Sequence, residues 1–67
     1  MKRYDVYAFQ DRTWWMLEVP DLGAMGQAAS RATVQADARD LISVWLDAPE
    51  AHVPPPRIRW VAPRHFD

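Results

Sequence analysis

The sequence has no cysteine, two glycines and two histidines. Without cysteine there is no disulfide framework and no thiolate zinc site. His52 and His65 alone are too few for a structural metal, so neither a metal nor a cofactor is expected. The lack of cysteine also fits a reducing, cytoplasmic setting. Charge of either sign is not in excess: the net charge is −1, with acids and bases interspersed. That leaves no basic footprint for nucleic acid and no acidic tail. Long apolar runs are absent as well, so no segment is long enough to cross a membrane. The opening Met1-Lys2-Arg3-Tyr4-Asp5 turns polar too early for a signal peptide. What remains is a single domain of 67 residues, 49% of them hydrophobic, which argues against disorder. At this size one core is marginal and is commonly supported by disulfides, metals or association. With the first two removed, a partner or a homo-oligomer, dimer or larger, is expected.

Large apolar side chains are plentiful and their spacing is informative. Residues 3 to 9 alternate, with Tyr4, Val6 and Ala8 on one side and Asp5, Tyr7 and Phe9 on the other, and read as a strand. Gln10-Asp11-Arg12 reads as a short turn. Residues 13 to 19 form a second strand, which Pro20 ends because it cannot donate to a sheet ladder. Residues 25 to 30 are assigned as a third strand, since two strands alone are not stable. From 32 to 47 the apolar positions Val34, Ala38, Leu41, Ile42, Trp45 and Leu46 repeat with helical period. Ser30 or Thr33 is placed to cap this helix, and Pro49 stops it. Pro54-Pro55-Pro56 reads as a stiff extended connector, residues 57 to 61 as a last strand, and Ala62 to Asp67 as a loose tail.

The order β-β-β-α-β predicts a small mixed α/β (α+β) sheet with one helix on one face. A meander followed by a right-handed crossover gives a strand order of 3-2-1-4. Glu18 should avoid burial, which assigns Trp14, Met16 and Glu18 to the uncovered face. Tyr7 and Phe9 join them there. Val6, Ala8, Trp15, Leu17 and Val19 then lie under the helix, where Val34, Leu41 and Trp45 complete the core. Tyr7, Phe9, Trp14 and Met16 are the candidate interface for a partner or a second copy, because an exposed apolar patch of several hundred Å2 usually marks an interaction site. The competing expectation is that Trp14 packs against arginine or proline of the tail.

Residues for chemistry are sparse. Nuclease chemistry on two metal ions needs converging carboxylates. Asp5 and Glu18 share the open face, whereas Asp37 and Asp40 lie on the solvent side of the helix, where Arg31 and Arg39 are expected to balance them. His52 and His65 have no nucleophile partner, and Gly23-x-x-Gly26 lacks the lysine of a phosphate loop. An enzyme is not expected. Arg57 and Arg59 are candidate polar contacts; with Trp60 they invite an RNA reading, but charged residues also guard edge strands against unwanted pairing.

The stretch from Trp14 through Val19-Pro20-Asp21-Leu22 to Ala28, followed by the helix with Ala38-Arg39-Asp40-Leu41-Ile42, resembles the HicB family of antitoxins over residues 3 to 60. The resemblance implies a partial ribonuclease-H-like fold and a role in a toxin–antitoxin system. The implied partner is a HicA-type toxin, a small mRNA-cleaving ribonuclease that the domain binds and masks. Family members often carry a C-terminal DNA-binding module. Here only Ala62-Pro63-Arg64-His65-Phe66-Asp67 follows the last strand, too short for one, so no DNA binding is expected. The alternative is a stand-alone homo-oligomeric interaction or scaffold domain without a toxin.

Overall fold

A computed structural model describes residues 1–62. Four strands form one mixed sheet: β1 (Asp5–Asp11), β2 (Trp14–Val19), β3 (Ala24–Ala28) and β4 (Arg57–Trp60). The helix α1 (Val34–Leu46) connects β3 to β4. The strand order is β3-β2-β1-β4, with β1 antiparallel to β2, β2 antiparallel to β3 and β4 parallel to β1. This is the order that short connections and a crossover dictate. The tail beyond Ala62, with Arg64 and His65, lies outside the described residues, as does any packing of Trp14 against it.

Several boundaries shift for local reasons. The first turn is Arg12-Thr13, not Gln10 to Arg12, because Asp11 pairs with Trp14 and stays in the strand. Arg12 takes φ 60° while Thr13 stays on the ordinary side. Positive φ at the first central residue alone is the pattern of a hairpin turn that matches strand twist. After β2, Pro20–Leu22 make one 3₁₀ turn, closed by Gly23 in the left-handed region with its N–H on the Pro20 carbonyl at 3.1 Å. Only here does the chain exploit glycine's freedom at positive φ. Nearby, Lys2 donates to Asp21 at 2.7 Å. That hydrogen bond, then the charge of Asp21, raises the lysine pKa.

The helix is shorter than its apolar periodicity predicts. Arg31–Thr33 form a 3₁₀ turn, and neither Ser30 nor Thr33 caps a helix N–H with its side chain. The Thr33 hydroxyl instead donates to the Ser30 carbonyl at 3.1 Å. At the other end Asp47 takes φ 52°, and the N–H groups of Asp47 and Ala48 donate to the carbonyls of Val44 and Ser43. These two bonds satisfy carbonyls that the last turn would otherwise leave free.

The core lies between the sheet and α1. Val6, Ala8, Leu17, Val19, Ala24, Ala28, Val34, Ala38, Ile42 and Val53 are buried. Each fully buried Val, Leu or Ile stabilises the fold by about 1.5–3 kcal/mol. Among the described residues no polar or charged side chain is buried. Two core assignments change. Trp45, expected inside, is 54% exposed. α1 packs chiefly over β3 and less over β2, and Leu41 already sits above Gly26 on the last strand of that edge. One turn further on, Trp45 has no further strand to cover. Conversely, Pro56 of the connector Pro54-Pro55-Pro56, and Val53 just before it, belong to the core layer. Val53 and Pro56 are fully buried, and α1 holds this segment through Arg39 Nε on the Val53 carbonyl at 2.8 Å and Gln35 Nε2 on the Pro56 carbonyl at 3.1 Å.

Candidate functional site

Alternation along β2 sends Leu17 and Val19 into the core and Trp14, Met16 and Glu18 to the face opposite α1. The pairing register then arranges the uncovered face in rows. Phe9 lies opposite Met16, and Met16 opposite Gln27. Tyr7 lies opposite Glu18, Glu18 opposite Met25, and Tyr7 also beside Arg59. Trp14 follows at the hairpin end, opposite Asp11. The four residues nominated from sequence, Tyr7, Phe9, Trp14 and Met16, therefore occupy adjacent positions on one surface. Tyr7 and Trp14 are exposed and Phe9 and Met16 half-buried. Trp14 retains 49% of its exposure.

Met25 belongs to this surface and was not singled out from sequence. It is 59% exposed on β3. Gly26 faces Leu41 across the core, so its neighbours Met25 and Gln27 must face the other way, but nothing in the sequence of this short strand sets that phase. Gln27 donates weakly from Nε2 to the Met16 sulfur at 3.8 Å. A shallow depression between Met16, Met25, Gly26 and Gln27 marks this corner. Flexible thioethers beside aromatic rings make an adaptable apolar surface.

The polar rim is built on Asp5. Arg57 Nε lies 3.0 Å from its carboxylate and Arg59 Nε 3.5 Å. Both arginines are on the uncovered face at its β4 side. These partly exposed pairs contribute little stability, but they hold two guanidinium groups beside Tyr7. Trp60 points to the opposite side, so it does not join Arg57 and Arg59 in a common stacking surface. It packs edge-on against Trp15, with centroids 5.6 Å apart at 89°. The Arg31 guanidinium lies 4.3 Å from the Trp60 ring centre and 5.8 Å from that of Trp15. Arg31 therefore stacks on tryptophan and Arg39 binds a carbonyl, whereas both were expected to balance Asp37 and Asp40.

Among the described residues, no group of three or more His, Asp or Glu side chains comes together to hold a metal ion, and no helix is long and apolar enough to cross a membrane. No family model matches the chain, and no curated protein or solved structure matches it either.

Proposed function

We propose that this chain is a HicB-like antitoxin domain with a partial ribonuclease-H-like fold. It acts in the cytoplasm by binding and masking a HicA-type mRNA-cleaving toxin and has no catalytic activity of its own. The observation that carries the reading is the uncovered sheet face, where Tyr7, Phe9, Trp14, Met16 and Met25 sit in adjacent rows. Large apolar side chains left in water forgo about 1.5–3 kcal/mol each, which a partner recovers on covering them. Aromatic residues and methionine are enriched at protein interfaces. Arg57 and Arg59 supply charge at the rim, suited to acidic groups on the partner. The resemblance through Val19-Pro20-Asp21-Leu22 and the helix supports the family, and the β-β-β-α-β order agrees with it. Inhibition would be by occlusion, with the face laid over the ribonuclease surface that admits mRNA.

The test is to mix the purified chain with any small basic protein of ribonuclease activity encoded beside its gene. Light scattering and an mRNA-cleavage assay are the two readouts. The expected result is a stable mixed complex and a loss of cleavage. Trp14→Asp is expected to remain folded by circular dichroism and to abolish both effects. A chain that neither binds nor inhibits the ribonuclease would contradict the proposal.

A further inference from the structure

The two edges of the sheet differ in their readiness to pair. On the β4 edge the strand carries Arg57 and Arg59 and follows three consecutive prolines. Charge and proline both discourage strand addition. The β3 edge, Ala24-Met25-Gly26-Gln27-Ala28, has no charge and no proline. Among the described residues, neither charge, proline nor a bulge blunts it.

The direction of its backbone groups follows from the register. Arg57 N–H donates to the Tyr4 carbonyl and Val61 N–H to the Ala8 carbonyl. In a parallel ladder this turns the backbone of Val6 and Ala8 toward β4, and that of Tyr7 and Phe9 toward β2. Tyr7–Glu18 and Phe9–Met16 are then the hydrogen-bonded pairs between β1 and β2. Trp15, Leu17 and Val19 must therefore bond to Ala28, Gly26 and Ala24. The N–H and C=O groups of Met25 and Gln27 are left pointing outward from the edge.

We infer that a second copy of the chain pairs with this edge, β3 against β3 in antiparallel register, about a twofold axis at Gly26. Met25 then faces Gln27 of the other copy, and Gln27 faces Met25. Each pair exchanges two N–H···O bonds, so all the outward groups of both residues are satisfied. Gly26 meets its own counterpart at the close, non-hydrogen-bonded position, where the absence of a side chain on the strand suits close approach. Self-pairing is favoured because the strand is its own complement and brings no like charges together. Across β4 the same operation would bring arginines from two copies together.

The helix side of the edge fits the same partner. Leu41 lies over Gly26, so the axis brings Leu41 toward its counterpart. Val44 and Trp45 follow it by three and four residues, on neighbouring positions of the helix surface. Val44 is 71% exposed and Trp45 half-exposed in the single chain. The pairing is independent of the toxin reading. It uses the edge rather than the face, and it joins two uncovered faces into one longer sheet with two partner sites.

The direct test is amide hydrogen exchange by NMR on the intact chain, with solution mass measured on the same sample. The expected result is a dimer in which the Met25 and Gln27 amides exchange at least about tenfold more slowly than on dilution to the single chain. Gln27→Pro removes one outward N–H and no bond within the sheet, so it should give a folded single chain. Met25→Lys places a charge on the edge and should do the same if the proline variant fails to fold. Trp14→Asp, on the face and away from the edge, should keep the dimer and the slow amides. The inference is overturned by a single-chain mass at millimolar concentration, by a dimer whose Met25 and Gln27 amides exchange freely, or by a dimer that survives both edge variants. It is equally overturned by one that Trp14→Asp dissolves.

Discussion

β2 carries two tryptophans side by side, and they meet different fates. Trp15 turns toward α1 and is held by Trp60 and Arg31 at the rim of the core. Trp14 turns to the uncovered face, with Asp11 opposite it and no described element laid over it. Hydrophobicity does not separate these residues, because they are identical. The pleat separates them, together with the fact that a single helix can cover only one side of a sheet. Apolar side chains on the covered side hold the fold together, while those on the other side are available to a partner.

That contrast can be broken by substitutions on each side. Leu17→Ala removes a fully buried side chain from the covered face and is expected to destabilise the fold by about 2–5 kcal/mol. In so small a domain this approaches total stability. Urea denaturation should show it as a fall in midpoint with little change in slope. Gly26→Val and Gln27→Val probe the two sides of β3 from adjacent positions. A Cβ at Gly26 would lie 3.0 Å from Leu41 Cδ2, so the first variant should lose about 1–3 kcal/mol by overpacking. The second adds its side chain to open surface and should change stability by no more than about 0.5 kcal/mol. Arg31→Ala removes the cation stacked on Trp60 and should cost about 0.5–1 kcal/mol in thermal or urea unfolding. Trp14→Asp sets a second carboxylate opposite Asp11 and should cost the fold no more than about 1 kcal/mol, while being the most damaging for binding.

Much of this was legible from period and punctuation. Alternation around Val6, Leu17 and Val19 defines the covered face, and Glu18 orients it. The four-strand order follows from connection length and crossover hand. What was not legible depended on tertiary reach. Trp45 sits on the apolar stripe of α1, yet the sheet ends beneath Leu41. Val53 sits among polar and proline residues, yet the space beside a single helix must be filled, and the chain returning to β4 fills it. Arg12 adopts a left-handed conformation that its residue type does not announce, and that moved the hairpin turn. The residues of the uncovered face followed from alternation and from Glu18, except for Met25. Its strand was too short and too poor in β-formers to reveal which side it presents.

The central claim is that the uncovered face, not the helix, receives the partner. The most direct measurement is to follow the methyl NMR signals of the chain while a HicA-type ribonuclease, the proposed partner, is added. The account predicts that the Met16 and Met25 methyls shift or broaden, while those of Val44 on the helix and Leu17 in the core stay in place. A titration that moves Val44 and leaves Met16 unchanged would place the partner on the helix and contradict it.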